Sequence, residues 1–148
     1  MKSIFDKTKR DELIARINTL SDSSIAKWGK MNVYQMLKHC TLYEEMMLGK
    51  TTYKRAFLGL LFGKMALKDF TKDETPIKRN VPTLKELKVK ESSGNLTAEK
   101  NKWITLLEEY AHPSNIEIVH SFFGKLTLEQ VGCLVYKHTD HHLRQFNS

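Results

Sequence analysis

Apolar residues recur every three or four positions along most of this 148-residue chain, and few helix-breaking residues interrupt them. Only three prolines and seven glycines occur, so long continuous helices can form. The spacing predicts four main helices, over residues 6–20, 33–48, 97–110 and 128–146. Asn32, Thr97 and Thr127 stand where helix N-caps are expected, and Gln130 completes a capping box with Thr127. The predicted fold class is therefore all-α, formed by a single domain of residues 1–148.

The overall composition is that of an ordinary soluble globular protein. Hydrophobic residues make up 41% of the chain and charged residues 28%, and a chain of this length can bury a core without disulfides. The N-terminus lacks the apolar run of a secretory signal, and the two cysteines form no close-spaced motif. We therefore expect a cytoplasmic protein with reduced thiols.

The net charge of +7 raises the question of nucleic-acid binding. The densest basic cluster lies in a segment without helical periodicity and consists of Lys78, Arg79, Lys85, Lys88 and Lys90. No interleaved aromatic residues or recognition motif accompany it. The sequence therefore predicts a solvated basic surface, with no specific nucleic-acid binding and a mild attraction for anionic ligands.

Residues 55–72 form the most apolar stretch, which is nearly uninterrupted from Phe57 to Phe62. Lys64 and Lys68 follow too soon for this stretch to span a bilayer. We favour a short helix that packs on the core or lies under the long loop, with a contact between two copies of the chain as the second choice and membrane contact as the third. From residue 73 to 96 the periodicity is lost, which predicts a long crossover connection.

Two histidines of the last predicted helix continue its apolar row. His138 and His142 are four positions apart, which places both imidazoles on one face of a helix. His39 lies on the apolar row of the second predicted helix, about a hundred residues earlier. Burying imidazoles on apolar rows is costly unless each finds a partner, and a shared metal ion would satisfy them. The sequence therefore predicts a metal site formed by His39, His138 and His142, with coordination positions open to water or substrate.

The residue types around this cluster limit its chemistry. Three imidazoles without a carboxylate favour Zn²⁺ or Ni²⁺ over Mg²⁺ or Ca²⁺. Thr139 occupies the place of the glutamate that a metalloprotease helix requires, which excludes that class. Gln145 is expected to face a ligand or to orient one, and His141, which is offset from the pair, to make a contact outside the ligand set. Tyr43 either lines the pocket or packs in the core.

The remaining candidates are expected to have structural roles, and they are His112, His120, Cys40 and Cys133. The alternative to the metal site is that His39, His138 and His142 form a cluster that binds no ion.

Three stretches of the chain carry a family resemblance: residues 27–33, with Trp28-Gly29-Lys30-Met31, residues 120–126 and residues 136–146. In these three stretches the chain resembles the DinB/YfiT-like superfamily of metalloenzymes, and it is similar to a branch of uncharacterised short proteins within that superfamily. The resemblance implies an up-down-down-up four-helix bundle that holds a metal at one end through His39, His138 and His142. Ser121 stands where that branch often has proline, a difference that affects a turn.

The activities of the superfamily imply what such a site does. Some of its members are thiol-dependent S-transferases or isomerases in which the metal activates a low-molecular-weight thiol. The resemblance therefore implies a metal-dependent enzyme that transfers a thiol to a small electrophile. Metal-assisted hydrolysis and a non-enzymatic metal-binding or stress-response module are the alternatives, and a homodimer is compatible with each.

Overall fold

The computed structural model describes residues 1–113 and 117–148, and these residues are mostly helical. The α-helices are α1 (Lys7–Asn18), α2 (Val33–Met47), α3 (Phe57–Thr71), α4 (Leu96–Glu108) and α5 (Leu128–Gln145). Two short antiparallel strands, β1 (Val119–His120) and β2 (Gly124–Lys125), pair His120 with Gly124. This small sheet departs from the all-α prediction. Among the described helices, none combines the length and the hydropathy that a membrane crossing needs.

Local side-chain capping marks the starts of α1, α2, α4 and α5. Asn32 and Thr127 are the predicted N-caps of α2 and α5. Thr127 forms the predicted capping box with Gln130, and Asn32 forms a further capping box with Gln35, which was not predicted from the sequence. The prediction that Thr97 caps α4 is wrong, because Asn95 accepts a hydrogen bond from the backbone N–H of Ala98 at 2.9 Å. Asparagine is at least as strong an N-cap as threonine, so the helix begins earlier.

The core lies between α1, α2, α4 and α5, since α4 and α5 each contact both α1 and α2. The apolar rows predicted for these helices are largely buried, with Trp103, Leu107 and Val135 at 0% exposure. Ile14, Leu42 and His138 are the half-buried members of these rows. After α4 the sequence contains a run rich in β-branched residues, Ile116-Glu117-Ile118-Val119, which begins outside the described residues and whose last member belongs to β1.

Helix α3 lies on the outside of this core, against α5 and β2. Its buried residues are Gly59, Gly63 and Leu67. The large apolar side chains of its first turns are exposed: Phe57 72%, Leu58 59%, Leu60 63%, Leu61 61%, Phe62 48% and Met65 69%. The expectation that this stretch packs on the core is therefore wrong for these residues, although the helix itself is present.

The segment between α3 and α4 agrees with the predicted long connection. Its regular structure is a single 3-10 turn, Lys85–Leu87. Hydrogen bonds tie it to α2, because Asn32 donates to the carbonyl of Ser92 at 2.6 Å and Gln35 donates to the carbonyl of Val89 at 3.5 Å. This connection consequently runs beside the part of α2 that carries His39.

Candidate metal centre

The packing of α2 against α5 brings His39, His138 and His142 together. One nitrogen from each ring can be chosen so that the three atoms all lie within 4.8 Å of one another. The Nε2 atoms of His39 and His138 are 3.2 Å apart. Two nitrogens that bind one tetrahedral ion at about 2.0–2.1 Å would lie about 3.3 Å apart. This geometry is compatible with the binding of one metal ion.

Two of the three imidazoles have their tautomers set by outer hydrogen bonds. The Nδ1 of His39 is 2.9 Å from the carbonyl oxygen of Leu87, and a carbonyl can only accept. This Nδ1 therefore carries the proton, and Nε2 keeps a free lone pair. The Nδ1 of His142 lies 2.9 Å from Oε1 of Gln145, which directs the Nε2 of His142 towards the cluster in the same way.

Gln145 is oriented by the connector that precedes α2. Its Nε2 donates to the carbonyl of Trp28 at 2.8 Å, which leaves Oε1 to accept from His142. Gly29 follows with a φ of +82°, and a Cβ there would lie 2.6 Å from Nε2 of Gln145. Glycine thus permits both the backbone conformation and the close approach. In the structure Gln145 holds the ring of His142, and its predicted role towards a bound ligand stays a prediction.

Burial keeps the cluster neutral. Desolvation lowers the pKa of His39, and it lowers the pKa values of His138 and His142 well below the ordinary value of 6.5. The neighbouring imidazoles lower these pKa values further, since two positive rings at this separation repel each other. All three rings are therefore neutral near pH 7, each with one nitrogen lone pair available, which is the state that a metal ion binds.

Tyr43 and His141 flank the cluster. The ring of Tyr43 stacks on His138, with centroids 3.7 Å apart and planes 18° from parallel. Burial raises the pKa of Tyr43 well above 10, so its hydroxyl stays protonated. The Nδ1 of His141 lies 3.2 Å from the carbonyl oxygen of Ile77, and its ring meets that of His142 edge-on at 5.1 Å. Both side chains therefore pack against rings of the three-histidine cluster.

The long connection covers this end of the molecule through Ile77 and Leu87, whose carbonyls face His141 and His39. The guanidinium of Arg79 lies over the ring of Trp28, 4.5 Å from its centroid. The basic residues of this connection are exposed, as the sequence predicts: Lys78, Arg79, Lys85, Lys88 and Lys90.

The residues expected to be structural lie outside the three-histidine cluster. Cys40 packs its sulfur 3.7 Å from that of Met36, and Cys133 packs its sulfur 3.8 Å from that of Met1. The Nδ1 of His120 accepts the backbone N–H groups of Phe122 and Phe123, both at 3.1 Å, which holds the turn between β1 and β2. Burial lowers the pKa of His120 to about 4. His112 is exposed.

Glu44 is a buried carboxyl that sequence reasoning missed. It is 0% exposed, and its Oε2 accepts a hydrogen bond from the hydroxyl of Tyr110 at 2.7 Å. Burial raises its pKa to about 8. Its neighbour in sequence, Tyr43, stacks on His138. A second row of α2 at three- and four-residue spacing could have revealed it, and that row consists of Leu37, Cys40, Glu44 and Met47.

A family model described as "Protein of unknown function (DUF1569)" matches residues 2–148. The chain therefore belongs to the DUF1569 family. Neither the curated proteins nor the solved structures contain a match to it.

Proposed function

We propose that this member of the DUF1569 family binds one divalent metal ion, Zn²⁺ or Ni²⁺, through His39, His138 and His142, and that it is a metal-dependent enzyme. The observation that carries the proposal is the 3.2 Å separation of two Nε2 atoms in a cluster whose ligand atoms span 4.8 Å or less. Three neutral imidazoles are ligands that these borderline ions accept.

Two hydrogen-bond acceptors, the backbone carbonyl of Leu87 and the side-chain oxygen of Gln145, would hold the ligands ready for the ion. Leu87 and Gln145 fix the Nδ1–H of His39 and of His142, so that both Nε2 lone pairs face inward. Outer contacts of this kind are as much a part of metal sites as the ligands themselves. When bound, such an ion would lower the pKa of a water molecule or of a thiol in an open coordination position.

The reaction that we propose is transfer of a low-molecular-weight thiol to a small electrophile, by analogy with the superfamily that the sequence resembles. We also propose that residues 1–148 form one domain whose four principal helices make an up-down-down-up bundle. The contacts of α4 and α5 with both α1 and α2 support a bundle of these four helices, and the up-down-down-up order is what the family resemblance implies.

A non-enzymatic metal-binding module is the second candidate, and the burial of the site favours it. His39 and His142 are 3% and 6% exposed, and structural metal sites are more closed than catalytic ones. In that case chelation would lower the melting temperature, while no substrate would be turned over.

Elemental analysis and titration with Zn²⁺ and Ni²⁺ test the metal site. Wild type is expected to bind one ion, and His138→Ala is expected to lose most of that affinity. His112→Ala is the matched control, because His112 is exposed and lies outside the cluster. Equal metal content in wild type and His138→Ala would contradict the proposal.

A thiol-consumption assay tests the reaction. The metal-loaded wild type would be incubated with a panel of low-molecular-weight thiols and reactive electrophiles, beside the chelated protein and His138→Ala. Consumption by the metal-loaded wild type alone is the expected result. If metal binds but no thiol and electrophile are consumed together, the transferase reading fails and the binding module remains.

A further inference from the structure

We propose that the outward face of α3 binds the surface of an anionic lipid bilayer, with the helix lying parallel to that surface. The face is defined by the six exposed apolar side chains of the first turns: Phe57, Leu58, Leu60, Leu61, Phe62 and Met65. A continuous apolar group of this kind on a protein surface marks an interaction site. Neither the metal cluster nor the reaction proposed for it uses these residues.

The exposure of this face is built into the packing of α3. A Cβ at Gly59 would lie 2.4 Å from the carbonyl oxygen of Phe122, and one at Gly63 would lie 2.2 Å from the same atom. Only a helix side formed by glycine can approach the turn between β1 and β2 this closely. Rotating the large side chains inward would force them into that backbone, so they must point outward.

Further hydrogen bonds hold the start of α3 in this orientation. The backbone N–H of Ala56 donates to the carbonyl of Ser121 at 2.9 Å. Arg55 donates to the carbonyl of His120 at 3.1 Å and to that of Gly59 at 3.3 Å. These hydrogen bonds therefore fix the start of α3 against the β1–β2 turn, with the apolar face directed outward.

The charged side chains around the apolar face are mostly basic, which favours an anionic partner. Residues 54–72 contain five basic side chains and one acid, Asp69, and Asp69 is paired with Lys72 at 2.7 Å. Lys54, Lys64 and Lys68 are exposed and form no ion pair with any residue that the structure describes. Lysines beside an apolar helix face suit anionic headgroups, while the apolar side chains enter the acyl boundary.

A second copy of the chain fits this face less well. In a symmetric dimer each patch meets itself, so the interface would gather the exposed lysines of both copies, Lys54, Lys64 and Lys68, while Asp69, the acid of this stretch, is already paired with Lys72. Like charges brought together in this way oppose association. A bilayer that contains anionic lipids meets the same lysines with opposite charge.

Vesicle sedimentation of the full chain tests the inference. Binding is expected to vesicles of phosphatidylcholine with about one-third phosphatidylserine, and to be much weaker with phosphatidylcholine alone. The double variant Leu58→Gln/Leu61→Gln should bind the anionic vesicles at least tenfold more weakly, since two leucines no longer enter the apolar layer. The double variant Lys64→Gln/Lys68→Gln should bind them more weakly by on the order of 30-fold.

Matched controls separate this face from the rest of the surface. Ile25 and Leu128 are 82% and 48% exposed and lie outside α3, so Ile25→Gln/Leu128→Gln should bind like wild type. Lys88→Gln/Lys90→Gln removes two exposed charges elsewhere and should reduce binding less than the α3 lysine variant does. The inference is overturned if wild type does not sediment with anionic vesicles. It is also overturned if sedimentation velocity shows a dimer that Leu58→Gln/Leu61→Gln dissociates, because the occupant is then a second copy.

Discussion

Replacing Glu44 with glutamine should remove a pH dependence of folding that this buried carboxyl imposes. Burial raises the pKa of Glu44 from 4.5 to about 8, and the hydrogen bond from Tyr110 only partly offsets that rise. In the unfolded chain the carboxyl is solvated and titrates near its ordinary value. Between these two pKa values the folded protein holds a proton that the unfolded chain has released.

The sign and size of the effect follow from proton linkage. The stability contributed by this proton is complete below about pH 4.5 and is lost as the pH rises to about 8. At about 1.36 kcal/mol for each pKa unit, the free energy of unfolding loses about 5 kcal/mol across that window. Glutamine binds no proton, so the variant should lack this loss.

Urea unfolding of wild type and Glu44→Gln, with chelator present, measures the effect. The difference in unfolding free energy between the two proteins should change by about 4 kcal/mol from about pH 5 to about pH 8. Wild type should become less stable relative to the variant as the pH rises. Titration of the buried histidines cancels in this difference. Glu108→Gln, at an exposed carboxylate of α4, should run parallel to wild type. Parallel curves for wild type and Glu44→Gln would refute the reasoning.

Two further substitutions test the contacts that position the metal cluster and α3. Gln145→Ala removes the acceptor for the Nδ1–H of His142. Metal affinity measured by titration should therefore fall by about 10–100-fold. The control Gln130→Ala, in the capping box at the other end of α5, should leave the metal affinity unchanged. Gly59→Ala should destabilise the protein in urea unfolding by about 1–3 kcal/mol, because its Cβ meets a backbone oxygen. Leu60→Ala, at an exposed position, should change stability by less than about 0.5 kcal/mol, and a stabilised Gly59→Ala would contradict the close approach.

The helices and most of the core were within reach of sequence reasoning because both depend on local patterns. Helix-capping side chains bond to backbone groups two or three residues away, so Asn32 and Thr127 mark the starts of α2 and α5. The prediction that Thr97 caps α4 was wrong because a second capping residue, Asn95, lies two positions earlier and caps the helix instead. The two-residue strands escaped prediction because they depend on pairing across a turn and not on a periodic run.

The candidate site was predictable as a set of histidines but not as a geometry. Helical spacing alone places His138 and His142 on one face, and the apolar row of α2 points to His39. Their hydrogen-bond partners could not be inferred, because Leu87 lies 48 residues from His39 and Trp28 lies 117 residues from Gln145. Such contacts exist only after the connecting segments have folded over the helices.

By itself, the sequence determined where the main helices lie and which side chains form their apolar rows, because helix periodicity and capping act over a few residues. Tertiary structure alone decided which nitrogen of His39 and of His142 is free, since distant acceptors hold the opposite nitrogen of each ring. It also decided that the most apolar stretch of the chain faces outward. Hydrophobicity favours the burial of that stretch, but the contact of Gly59 and Gly63 with the backbone of Phe122 leaves no room for large side chains on the inner side.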